Sequence, residues 1–305
     1  MKNRPIHPLA TVLCIAGSDS SAGAGLQADL KTIHALGGYA LTVPTAITAQ
    51  NSFGVTAVYP LAPEIVQVQL ETLFADYQIQ AIKIGMLGNL GILKVVLDCL
   101  QQHPEIPMVL DPVLMSSSGR PLLEAEALPL FIKTLLPLAT VVTPNIPELN
   151  ALIQSSTPYT TFRGQADEVP EMAECLFSLG VQNAVIKGGH SIETEAIDYL
   201  VMSNNASYNP HHLPSIQAYS SLRLETPNTH GTGCTYSSAL AVELAKGKAL
   251  PQAVKASKAY LLKVLLSAQQ GQGQPQYITH TLPLESQRKG GLHHLDVSEN
   301  QTLLK

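Results

Sequence analysis

The chain has 305 residues, enough for one large α/β domain or two smaller ones, with an ordinary apolar content of 45% and few charged residues at 13%. Its formal net charge of −5 carries no block of like charges, which excludes nucleic acid and an anionic membrane surface as natural partners. Four cysteines, Cys14, Cys99, Cys175 and Cys234, lie far apart without a CxxC or any metal-ligand spacing, the usage of a reduced cytosolic protein.

In chain order, Lys2 and Arg4 precede an apolar stretch, but Pro5, His7 and Pro8 interrupt it and Leu13 stands where a cleavage site needs a small residue. Val12–Ala16 therefore reads as a buried first strand, and a cytoplasmic protein is expected. Further strands are predicted at Leu41–Thr45, Ala81–Gly85, Met108–Asp111, Val141–Thr143, Ala184–Lys187 and Tyr199–Met202. Between them lie helical patterns: one starting near Gly25, then Pro63–Tyr77, Asn89–Leu100, Glu124–Leu135, Asp167–Leu179, Thr232–Ala245 and Pro251–Ala268. Nearly all-apolar strands alternating with helices predict a mostly parallel sheet covered on both faces. Residues 1–270 read as a single domain. Ser203–Thr226 is polar and reads as an irregular insertion, with Ser221–Thr226 offered as a strand. Gly271–Gln276 reads as a linker, and 271–305 as linker and tail. No apolar run reaches the length of a membrane span.

Several motifs fall at predicted strand ends. The stretch from Gly17 to Asp29 contains Gly23, Gly25 and Ala28 in G-x-G-x-x-A spacing. It starts well past the strand, and no acidic residue occurs between Asp29 and Glu64, which argues against a dinucleotide site. A loop shaped around a small ligand explains the glycines better. Gln50 ends the second strand with a planar amide that matches an aminopyrimidine-like edge or caps a turn; the residue alone does not choose. Asp111 and the Asn145/Glu148 pair end successive strands, at the edge where open parallel sheets bind ligands, and such a set of oxygens suits Mg²⁺. Lys187 ends another strand beside two glycines and can reach a phosphate.

The most specific stretch is the last. Gly231, Thr232 and Gly233 precede a helix, where unpaired amides and the positive end of the helix dipole make an anion hole. Cys234 follows in the first turn, a position that lowers a thiol's pKa and exposes a thiolate. His230 is the one histidine near this stretch; the pairs His211/His212 and His293/His294 show no metal spacing.

Seven stretches in order, IAGSDSSAGAGLQADLKT (15–32), TAITAQNSFGV (45–55), KIGML (83–87), VLDPV (109–113), VTPNIPE (142–148), IKGGH (186–190) and NTHGTGCTYSSALA (228–241), resemble the hydroxymethylpyrimidine/phosphomethylpyrimidine kinases of thiamine biosynthesis, in the ribokinase-like superfamily. The resemblance implies a three-layer α/β/α sandwich, a homodimer, and ATP as phosphoryl donor with Mg²⁺. It implies phosphorylation of 4-amino-5-hydroxymethyl-2-methylpyrimidine and then of the monophosphate. Carried over, Gln50, Asp29, Gly17, Gly25, Met86 and Val113 would bind the pyrimidine. Gly231, Thr232, Gly233, Cys234 and Lys187 would carry catalysis, Asn145, Lys187 and Thr229 the nucleotide phosphates, and Asp111 and Glu148 the metal. Cys234 stands where sugar kinases of the superfamily place an aspartate base. Ser20 and Ala22 replace a proline and a glycine common in the family. The alternatives are a pyridoxal kinase of the same superfamily and a pyrimidine-binding protein without catalysis.

Overall fold

The computed structural model describes residues 9–51, 53–116, 119–154, 156–157, 159–190, 195–203, 214–224, 226 and 229–269. These build one nine-stranded sheet in the order β3-β2-β1-β4-β5-β6-β7-β8-β9. Its parallel centre is β2 (Tyr39–Asn51), β1 (Thr11–Asp19), β4 (Ala81–Ile84), β5 (Met108–Leu110), β6 (Val141–Val142) and β7 (Asn183–Ile186). Antiparallel strands extend it at both sides: β3 (Gly54–Pro60) on β2, then β8 (Glu195–Met202) on β7 and β9 (Ser215–Leu222) on β8.

Side-chain alternation along the central strands divides the core into two layers. Leu13 and Ile15 of β1 face one side, covered by α2 (Pro63–Asp76), α3 (Leu90–Gln101), α6 (Ile146–Ile153) and α7 (Val169–Ser178). Val12, Cys14 and Ala16 face the other, covered by α1 (Gly25–Ala35), α8 (Thr232–Ala245) and α9 (Leu250–Gln269). The molecule is thus a three-layer α/β/α sandwich. Helix α8 is buried over nearly its whole length, from Thr235 to Ala245, which is why its sequence is small and apolar all round. Among the described residues no helix is long and apolar enough to cross a membrane.

Three expectations change. Strand β3 is absent from the sequence reading, because its exposed antiparallel edge offers only a weak apolar pattern. Much of the supposed irregular insertion is β9, eight residues in full register with β8; its serines read as a loop, but each alternate residue packs on the sheet. The helix expected over Glu124–Leu135 is composite: a 3₁₀ turn, α4 (Leu128–Leu130), a π-helical turn Phe131–Leu135, and α5 (Leu136–Leu138). Pro137 has no N–H to give to the carbonyl of Lys133, so regular α-helical bonding is interrupted there. Residues 204–213 and the expected linker and tail lie outside the described residues.

The strand order reverses at β1, with β2 on one side and β4 on the other. In such sheets the crevice opens past the carboxyl ends of the strands at the reversal. The carboxyl ends of β1, β4, β5, β6 and β7 bring Gly17, Met86, Asp111, Asn145 and Lys187 to that one edge. Leu93 of α3 is fully buried in the larger core layer, remote from this edge. Leu93→Ala is expected to cost about 2–5 kcal/mol of unfolding free energy, read as a lower urea midpoint with unchanged slope, while catalytic constants stay near wild type.

Candidate active site

The site is built around the start of α8. Gly231, its N-cap, has φ 83, the left-handed conformation that glycine adopts without strain. A Cβ at this position would strike the Gly23 carbonyl oxygen, so the glycine also lets the two glycine-rich loops touch. The N–H of Thr232 turns back to the Thr229 carbonyl at 3.3 Å, and its hydroxyl does the same at 3.0 Å. Among the described residues, the amides of Gly233 and Cys234 meet no backbone acceptor outside the helix, leaving them at the dipole's positive end.

Beneath these amides lies a charged cluster. Lys187 Nζ donates to Asp111 Oδ1 at 3.0 Å and lies 3.7 Å from Glu148 Oε2. Thr143 Oγ1 donates to Asp111 Oδ1 at 3.1 Å, and Ser237 Oγ approaches Oδ2 at 3.4 Å. Burial opposes the charge on Asp111, but the Lys187 ammonium, with Lys83 behind it, holds this carboxyl below its usual range. Asn145 and Glu148 form a reciprocal capping box at the start of α6, each side chain bonding the other's N–H at 2.8 Å. Burial raises Glu148 to about 7, against the pull of Lys187. Among the described residues no group of three or more His, Cys, Asp or Glu side chains gathers as a metal cage. Two carboxylates beside a phosphate site are nonetheless the donor set that Mg²⁺ uses when phosphate oxygens and water complete its shell.

The opposite end of the cavity carries the first glycine-rich loop. Asp19, buried, gathers the loop by accepting from the N–H and hydroxyl of Ser21, both at 2.8 Å, and from the amides of Gly23 and Ala24 at 3.1 and 2.8 Å. Burial works against its charge, but the His230 and Ser21 bonds lower its pKa to about 2. Ala22, where a glycine is common in the resembling family, takes φ 60 and is the one non-glycine with positive φ among the described residues. Gly25 also has positive φ, and a Cβ there would meet the Gly17 carbonyl; one at Gly17 would lie 3.0 Å from Met86 Sδ. Gly17, Gly25, Gln50, Met86 and Val113 all line one cavity of about 790 Å³ with Asp111, Asn145, Glu148, Lys187, Thr229 and Gly231–Cys234.

Two expectations are corrected. Asp29 does not face the cavity: it is fully buried below it, bonded through both oxygens to Lys83 Nζ at 2.8 and 2.9 Å and to Ser238 Oγ at 2.7 Å. A carboxylate sealed in that way cannot touch a ring edge. Cys234 is a resting thiol rather than a thiolate. Burial pushes its pKa up to about 11, outweighing the Lys83 ammonium and the Gly25 N–H, which favour the anion. Lys83, Asp19, Ser237 and Ser238 were missed by sequence reading. Lys83 alone had a visible signal, a lone charge inside the apolar strand AIKI.

Beyond Lys187, toward β9 and α9, the cavity is lined by Leu222, Leu224, Leu261, Leu262 and Leu265. Arg223 donates to the carbonyls of Gly188 and Gly189 at 3.2 and 3.0 Å. Asp198 accepts from the Gly188 amide at 2.9 Å and pairs with Lys258 at 2.8 Å. A Cβ on Gly188 would run into the Ile197 carbonyl, so this loop lies flat on β8 and aims Lys187 at the anion site. One cavity therefore holds a polar ring pocket, a cationic anion site and an apolar slot in a row.

A single, mostly parallel sheet with a glycine anion loop at a helix start, and an acid–lysine pair beneath it, defines a small-molecule kinase of the ribokinase-like class. The phosphomethylpyrimidine kinase family model matches residues 19–277. The hydroxymethylpyrimidine/phosphomethylpyrimidine kinase of Haemophilus influenzae is 41% identical over 86% of this chain and 94% of its own length. That of Rhizobium meliloti is 42% identical over 87% and 94%. Among solved structures, phosphomethylpyrimidine kinase from Clostridium difficile has a TM-score of 0.69 at 38% identity, covering 84% of this chain and 99% of that one. A pyridoxal kinase from Staphylococcus aureus, in complex with AMP-PCP and pyridoxal, has a TM-score of 0.77 at 29% identity and covers 96% of both. The chain belongs to the phosphomethylpyrimidine kinase family and is a kinase of thiamine biosynthesis, with ATP as the phosphoryl donor.

The Asp19 carboxylate has a pH signature. Its pKa is depressed from 3.8 to about 2, so its stabilisation is fully present above the unfolded value and is lost as pH falls toward 2. The stability gap between wild type and Asp19→Asn is expected to be constant from pH 7 to 5 and to narrow below pH 4, by urea unfolding at each pH. A gap that widened on acidification would contradict the geometry.

Proposed function

We propose that this kinase phosphorylates the hydroxymethyl group of 4-amino-5-hydroxymethyl-2-methylpyrimidine and then, in a second turn, the resulting monophosphate. The observation supporting this most is the order of chemistries within one cavity: Gln50 and Met86 at a flat pocket, the free amides of Gly233 and Cys234 in the middle, and the leucine slot beyond. A ring alcohol at the first end faces a nucleotide's terminal phosphate over the second.

Phosphoryl transfer needs little covalent help from the protein and depends on positioning and charge neutralisation. Lys187 Nζ, held by Asp111, offers its charge to the phosphates, and the helix-start amides bind the equatorial oxygens. Asp111 and Glu148 would hold Mg²⁺, which supplies further charge neutralisation when bound. Gln50 binds the ring edge and Thr229 and Asn145 border the phosphate path. Cys234 is the group placed to take the hydroxyl proton. With a pKa near 11 it does so as a minority thiolate, favoured by Lys83 and by the cations around the phosphates.

The test is ADP release. Hydroxymethylpyrimidine is expected to yield two equivalents of ADP in succession, and its monophosphate one. Pyridoxal, which lacks an exocyclic amine for Gln50, is expected to be a poorer substrate. Cys234→Ala is expected to lower kcat by ~10²–10⁴. Release of ADP with pyridoxal but not with the pyrimidine would make the chain a pyridoxal kinase; ligand binding with no ADP release would make it a binding protein.

A further inference from the structure

The orientation of the Gln50 amide follows from hydrogen-bond accounting along a chain of side chains. The carboxylate of Asp19 accepts from four donors in its own loop, so it has no hydrogen to give. His230 Nε2 lies 3.0 Å from Asp19 Oδ2. Two acceptors cannot face each other at that distance, so this histidine nitrogen carries a hydrogen. The same nitrogen lies 3.0 Å from the terminal amide of Gln50, where the placed atom is Nε2. A protonated Nε2 has no lone pair with which to accept an amide N–H, so the group that can face it is the amide oxygen, which shares the one Nε2 hydrogen with Asp19.

The other end of the amide gives the same answer independently. There Gln50 lies 3.3 Å from Thr48 Oγ1, with Oε1 as the placed atom. The one hydroxyl hydrogen of Thr48 goes to the Ser18 carbonyl at 2.9 Å. Thr48 therefore has only lone pairs to offer Gln50, and the group facing it is the NH₂. Nitrogen and oxygen of a glutamine amide have nearly the same shape, so the network decides between the two orientations. Both ends select the turned one.

The backbone is fixed as well: the Gln50 N–H donates to Ser20 Oγ at 2.9 Å, and that hydroxyl donates to the Gln50 carbonyl at 2.8 Å. The His230 ring is located by Gly23, whose missing side chain leaves room for it.

We infer that His230 and Thr48 are positioning residues which lock the Gln50 amide with its oxygen toward His230 and its NH₂ toward Thr48, and so set which way round the substrate ring lies. Resting on the kinase reading above, this gives the specificity a handedness. One lone pair and one N–H of the amide are used by the protein, and one of each is left for the ligand. They match a ring nitrogen beside an exocyclic amine in one in-plane orientation only. Because His230 directly precedes Gly231, the same histidine ties the ring reader to the anion loop. The opposite amide orientation would reverse the ring and send its hydroxymethyl group away from Cys234.

The test begins with the full-length wild-type enzyme labelled with ¹⁵N-histidine, the His230 resonance being assigned with His230→Gln. Nε2 of His230 is expected to carry the hydrogen; a bare Nε2 with protonated Nδ1 would overturn the inference. In steady state, Thr48→Val is expected to raise KM for hydroxymethylpyrimidine about 3–10-fold, the loss of roughly one hydrogen bond, with KM for ATP unchanged. His230→Leu is expected to raise it further and His230→Gln, which keeps an N–H donor, to restore much of it. Equal behaviour of the two His230 variants, or no effect of Thr48→Val, would overturn the inference. If the wild type released no ADP with the pyrimidine, the proposed substrate would fail while the NMR result still judged the network.

Discussion

The Lys83–Asp29 ion pair is the constraint on which the site depends. Both side chains are fully buried, and Lys83 Nζ bonds both carboxylate oxygens. Removing two charges from water is expensive, and their attraction offsets the loss only with close geometry and further hydrogen bonds. Ser238 supplies one, from the turn of α8 directly below Cys234. The pair therefore pins three elements, β4, α1 and α8, at one point under the anion loop. Burial disfavours the ammonium, but Asp29 in contact, with Asp111 nearby, raises the Lys83 pKa and keeps a fixed positive charge behind the phosphate position.

Charge of both signs then alternates upward through the site. Lys83 balances Asp29, Asp111 balances Lys187, and among the described residues the helix-start amides of Gly233 and Cys234 meet no backbone acceptor outside the helix. That leaves a net demand for an anion at the one place where the two glycine-rich loops meet. Gly231 makes the meeting sterically possible, and Asp19 stops the first loop from collapsing by taking up its amides. Preorganised donors of this kind need no rearrangement when a phosphoryl group arrives.

Much of this was legible in the sequence, and for identifiable reasons. Gly231–Cys234, Asp111, Asn145, Glu148 and Lys187 sit at strand or helix ends, where local pattern alone places them on the crevice edge. Asp29 was misread because its role is decided by a lysine 54 residues away, a pairing with no local trace. The Cys234 thiol was misread for a similar reason: position at a helix start is visible in sequence, but the burial that overrides it is not. Strands β3 and β9 escaped because their pairing partners, more than their own composition, make them strands. The His230–Gln50 contact joins residues 180 apart and exists only once the loops close on each other.

The most direct measurement of the central constraint is a double-mutant cycle on the buried pair, using Lys83→Met, Asp29→Leu and the combined variant, with urea unfolding of the full chain. Each single change strands a buried charge and is expected to cost about 3–5 kcal/mol, whereas the double variant is expected to lose much less than the sum of the two. Additive losses would show that Lys83 and Asp29 act separately, and would contradict the account of a single ion pair holding the floor of the site.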